Sequence, residues 1–152
     1  MFDSLIQSKL RYATASAWLL KSDMRRLDGF QASCLRRILG IPCYFISRVS
    51  NEKVRSESGM TQFSKSVLKS QLRLLGQVLN DPRKHSLKEV TFHGQTDVTQ
   101  TAAFVRRTGR PRQNWADQLT HKMKQAAGSL NMWAQAAGSA KIWKEVASRV
   151  VL

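Results

Sequence analysis

The chain has 152 residues, 42% of them hydrophobic, with four Trp and six Phe. That allows one ordinary domain with a modest core and leaves no room for a polymerase. With 25 Lys and Arg against 10 Asp and Glu the net charge is +15, a self-repulsion that a polyanion would relieve. Nucleic acid and an anionic membrane surface both fit the charge alone, and the composition favours nucleic acid. Cys34 and Cys43 form no C-x-x-C pair, and His85, His93 and His121 are scattered. Neither a disulfide framework nor a metal-ligand set is supported, and no cofactor is expected. No apolar run approaches the roughly 18 residues a membrane span requires; the best, Tyr12 to Leu20, is cut by Thr14 and Ser16. A soluble, intracellular chain in nucleus or cytoplasm, not secreted and with no membrane partner, is the expectation. Residues 1–26 share the basic, Ser-containing character of a mitochondrial presequence, but Asp3 and Asp23 interrupt it, which argues against targeting.

In chain order, Phe2, Ile6, Leu10, Ala13, Ala17 and Leu20 follow helical spacing and predict a first amphipathic helix. Ser22 and Asp23 offer a new cap, and Met24, Leu27, Gln31, Cys34 and Ile38, widened by Phe30 and Leu35, predict a second that Gly40-Ile41-Pro42 ends. An antiparallel pair is the economical arrangement. Residues 40–50 read as a connector, followed by a short helix capped by Ser50-Asn51 and closed by Gly59. From Thr61 the pattern restarts: Leu68, Leu72, Leu75 and Leu79 make a seam flanked by Phe63, Val67 and Val78, and Asn80-Asp81-Pro82 stops it.

Between Pro82 and Arg112 helical periodicity fails; Lys88 to Phe92 alternates like a short strand, and the rest reads as a linker or basic arm. Trp115, Leu119, Met123 and Ala126 resume helical spacing. The tail repeats Ala-Ala-Gly-Ser at 126–129 and 136–139, each followed by a Trp, at Trp133 and Trp143. Gly128 and Gly138 fit C-terminal caps, Ser129 and Ser139 the next N-caps. Trp143, Val146, Ala147 and Val150 predict a packing face against the helix carrying Trp115. The expected fold is mainly α: a helical bundle subdomain over 1–80, an irregular linker with a basic arm over 81–112, and a C-terminal helical hairpin with Trp-containing helices over 113–152.

Several basic groups are candidate phosphate contacts. Arg25 and Arg36 are eleven residues apart, as are Arg26 and Arg37; that is close to three turns, so each pair shares a face over about 16 Å. Lys65, Lys69 and Arg73 form a row rising about 6 Å per step, with no acid on their helix to compensate them. A solvated helix face would carry the same residues, so periodicity alone leaves both open. Arg106-Arg107-Thr108-Gly109-Arg110-Pro111-Arg112 keeps the backbone extended and presents guanidinium groups. It resembles the core of an AT-hook, with Thr108 in place of the first Arg of that core; a plain phosphate-binding arm is the alternative, and the favoured one. Trp115 could stack on a base, but its place in a helical stripe favours packing. No G-x-x-x-x-G-K-[ST], H-E-x-x-H or G-x-S-x-G is present, and the acids are few and dispersed, so no catalytic role is expected.

Ser22 to Phe30, Cys34 to Ile41, Ser47 to Asn51, Leu72 to Gly76, Arg107 to Arg112 with Trp115 and Asp117, and Trp143 to Val146 together resemble, in that order, the region downstream of the polymerase domain in non-LTR (LINE-type) retrotransposon reverse transcriptases. The resemblance extends over roughly residues 18–150. It implies a transposable-element segment that holds template RNA or target DNA during target-primed reverse transcription, with the polymerase portion of a parent element as a further partner. The Tyr-x-Asp-Asp motif, an endonuclease and the Cys-Cys-His-Cys knuckle of that family are not in this sequence, so polymerisation is not assigned to it. The expected function is non-catalytic nucleic-acid binding; the alternatives are a helical protein-interaction domain or a degenerate fragment without retained function.

Overall fold

The computed structural model describes residues 3–80, 85–93, 109, 115–127, 139–148 and 150. Among them the chain is mainly helical, as the composition and spacing predict. A π-helical turn over Asp3–Gln7 leads into α1 (Ser8–Thr14), followed by α2 (Lys21–Leu39), α3 (Tyr44–Ser47), α4 (Asn51–Ser58), α5 (Phe63–Asn80), α6 (His85–Thr91), α7 (Trp115–Ala127) and α8 (Ala140–Ser148).

The boundaries follow local chemistry. Gly40 adopts the left-handed conformation that ends α2, with the Ile41 amide donating to the Arg36 carbonyl at 2.9 Å. The Ser50 hydroxyl accepts the Lys53 amide at the start of α4, and Gly59 closes that helix at φ 66°. The seam read along α5 is the centre of the fold: Leu68, Leu72, Leu75 and Leu79 are buried with Phe92, Leu119, Met123, Trp143 and Val150 in one core, with Trp115, Val146 and Ala147 packed against it. Helices α7 and α8 touch each other and both rest on α5, which places the Trp143 face where its spacing predicts.

Three expectations are corrected. The first helix does not run to Leu20. It ends at Thr14, because Gln71 of α5 donates its side-chain amide to the Thr14 and Ala17 carbonyls, and Leu20 turns extended so that its amide is held by Asp23. Its main partner is α5 rather than α2, and Ile6 and Ala13 of its apolar stripe are exposed while Gln7 is buried.

The buried face of α2 follows the expected stripe only in part: Gln31 and Leu35 are inside as expected, joined by Ala32 and Arg36, whereas Phe30 and Ile38 are exposed. Polar side chains take the inner positions because they satisfy chain ends. The Gln31 amide donates to the Thr61 carbonyl and accepts from the Phe63 amide, each at 2.9 Å. Asp28 accepts from the Ser64 amide at 2.9 Å. Two residues of α2 thus cap the start of α5, where free amides need acceptors.

The strand-like stretch from Lys88 to Phe92 lies largely within α6. The helix satisfies its own backbone up to Thr91 and delivers Phe92, which forms a single bridge pair and is fully buried, to the α5 core. The expected linker over 81–112 therefore contains an ordered helix. The caps expected at Gly128, Ser129 and Gly138 lie outside the described residues; Ser139 immediately precedes α8, its carbonyl accepting the Trp143 amide.

Candidate nucleic-acid interface

On α5 Lys65, Lys69 and Arg73, four residues apart, are exposed along the flank of the buried seam, beside Leu68 and Leu72. Each step of that row rises about 6 Å. The row forms one wall of an open groove whose other walls come from the start of α2, from α7 and from α8. Lys21 and Arg25 enter from α2, His121 and Lys122 from α7, and Lys144 from α8; Leu68, Leu72 and Trp143 contribute the apolar lining. Seven Lys and Arg side chains thus face one groove: Lys21, Arg25, Lys65, Lys69, Arg73, Lys122 and Lys144.

Asp28 is the single acid among the described lining residues. Its carboxylate is already engaged by the Ser64 amide and, at 2.7 Å, by the Gln62 side-chain amide. None of the seven cations is paired with an acid among the described residues. Lys122 registers the crowding: half-burial first, and the Lys21 charge second, hold its pKa below the ordinary lysine value. An anion that enters the groove beside Lys122 would favour its charged form.

Of the candidate residues, Arg25, Lys65, Lys69 and Arg73 are brought together here. Arg26 and Arg37 are exposed on α2 but do not line the groove. Arg36 is a correction. It is 7% exposed, and its guanidinium donates to the Pro42 carbonyl and Ser47 hydroxyl at 3.0 and 3.2 Å, to Asn51 Oδ1 at 3.0 Å and to the Val49 carbonyl. With its donors spent on the turn that contains α3, Arg36 holds the fold and has none left for phosphate. The shared face of Arg25 and Arg36 therefore divides into a groove wall at one end and a structural anchor at the other. Arg106, Arg107, Arg110 and Arg112 lie outside the described residues. Trp115 packs against the core.

Lys21, Lys122 and Lys144 escaped sequence reasoning: Lys21 lies four residues before Arg25 on α2, a spacing that could have flagged it, whereas only packing brings Lys122 and Lys144 to the same groove. No group of three or more potential metal-ligating side chains occurs among the described residues, and no helix among them is long and apolar enough to cross a membrane.

Comparison with protein-family models, with curated proteins and with solved structures finds no match.

Proposed function

We propose that this chain is a non-catalytic nucleic-acid-binding module that holds RNA or DNA by its phosphates in the groove between α2, α5, α7 and α8. The observation that carries the proposal is the convergence, among the described residues, of seven Lys and Arg side chains from four helices on one groove with a single, already hydrogen-bonded acid. The stepwise rise of Lys65, Lys69 and Arg73 suits an extended polyanion better than a small one. Together with the resemblance to the post-polymerase region of LINE-type reverse transcriptases, this supports reading the module as one that holds template or target strands beside a polymerase that other parts of such an element supply.

Phosphate binding of this kind releases condensed counterions, so log K falls linearly with log salt, by about 0.9 per phosphate contact on duplex DNA. Anisotropy titration of a labelled oligonucleotide across a salt series is the test. A steep negative slope is expected, and an affinity that barely moves with salt would refute the groove as a phosphate site.

A further inference from the structure

The turn between α2 and α4 has its polar groups inside and its apolar groups outside. Inside, Arg36 gathers the Pro42 and Val49 carbonyls, Ser47 and Asn51. Outside, Tyr44, Phe45 and Ile46 are 58%, 90% and 75% exposed. Side chains of this size are ordinarily buried, and contiguous exposure of this kind marks binding surfaces. The arginine network holds the turn in one conformation, so the two aromatic rings stand on a platform whose ordering does not have to await a ligand.

The surroundings are cationic. Between Asp28 and Glu52 the chain carries no acid, and Arg37 and Arg48, both exposed, flank the turn in sequence. Arg48 adopts φ 55°, a left-handed conformation that glycine takes at lower cost, yet a cation occupies it. Arg25, in the groove, and Arg36, beneath the turn, share one face of α2; the turn therefore stands on the side of α2 that borders the groove, about 16 Å along the helix axis.

We propose that this turn is a stacking site for unpaired nucleobases, with Tyr44 and Phe45 receiving bases and Arg37 and Arg48 the adjoining phosphates, so that the chain prefers single-stranded to duplex nucleic acid. The proposal rests on the nucleic-acid reading of the groove and specifies the form of the ligand. Aromatic side chains stack on any base and need no particular sequence. In a duplex the bases are already stacked on one another, and rings at the tip of a turn meet only backbone.

The test uses the full chain, its Tyr44→Ala/Phe45→Ala double variant and a Phe45→Trp variant, each checked for helix content by circular dichroism. Anisotropy is measured on a single-stranded oligonucleotide and on a hairpin duplex with the same number of phosphates; flotation with phosphatidylserine vesicles is measured in parallel. The unsubstituted chain should bind the single strand more tightly. The double variant should lose roughly 30-fold or more in single-strand affinity with duplex affinity held within about twofold, and Phe45→Trp should retain single-strand binding. Equal losses on both oligonucleotides, no loss on either, or a loss confined to vesicles would overturn the stacking site and leave the groove standing. Failure of the unsubstituted chain to bind either oligonucleotide would overturn both proposals.

Discussion

Trp143 and Gly76 are in closer contact than any larger residue at position 76 would allow: a Cβ there would lie 2.7 Å from the indole Nε1 and Cε2. The same indole donates its N–H to the Leu72 carbonyl at 3.2 Å. Position 76 is thus the seat on which α8 is fastened to α5, and one wall of the basic groove, carrying Lys144, depends on it.

Replacing Gly76 by Ala should destabilise the chain by about 1–3 kcal/mol, the usual cost of forcing extra volume into a packed site, even though alanine favours the helix itself. Trp143→Phe should cost about 1 kcal/mol for the lost hydrogen bond, with further loss from the smaller ring. Urea denaturation measures both. A Gly76→Ala chain as stable as the parent would mean that α8 shifts freely along α5.

Arg36 and Arg37 are neighbours with opposite fates. Arg36→Ala removes the donor shared by the Pro42 and Val49 carbonyls and the Asn51 side chain and empties a buried site; because these acceptors are exposed or half-buried and water can reach them, the loss should total about 1–3 kcal/mol. Arg37→Ala should stay within about 0.5 kcal/mol, as exposed substitutions do. Thermal unfolding of the two variants side by side is decisive; similar melting temperatures would contradict the structural role of Arg36.

Lys69 is in the groove and Arg26 is not. Lys69→Gln should lower duplex affinity and reduce the magnitude of the salt slope by about 0.9, the contribution of one phosphate contact. Arg26→Gln should leave the slope unchanged. If both changed it alike, the cations would be acting as a diffuse cloud rather than as a groove.

Lys122 carries a pH signature. Its pKa is lowered on folding by burial and by Lys21, so the folded state binds its proton less readily than the unfolded state does. The resulting destabilisation is fully present below the folded pKa and is relieved as pH rises from there toward the ordinary lysine value. Lys122→Gln should therefore raise the melting temperature at neutral pH, lose that advantage in alkaline solution, and weaken oligonucleotide binding. A variant less stable than the parent at neutral pH would show that the ammonium group is compensated in the fold.

The helix ends at Gly40 and Gly59, the Ser50 cap and the Leu68-to-Leu79 seam were legible because each is a local matter: a left-handed residue, a hydroxyl near free amides, a repeat of about 3.6 residues. The row of Lys65, Lys69 and Arg73 was legible for the same reason, since a four-residue spacing keeps side chains on one flank of a helix. Hydropathy put Phe30 and Ile38 on the inner face of α2 and missed Arg36, whose inward position is set by hydrogen bonds to the turn that follows, while Asp28 is held by the Ser64 amide 36 residues away. It also overextended the first helix, whose end is decided by Gln71.

The mainly helical class and the excess of positive charge are therefore properties of the sequence by itself, set by short-range periodicity and by simple addition of charges. Where that charge is concentrated was decided only by tertiary structure. Packing α7 and α8 on α5 sets Lys122 and Lys144 opposite a row they do not neighbour in the chain, and the same folding withdraws Arg36, whose spacing from Arg25 had suggested a shared contact. Charge is additive along a sequence, but an electrostatic groove depends on distances in space, and those are fixed by which side chains the core and the buried hydrogen bonds can accommodate.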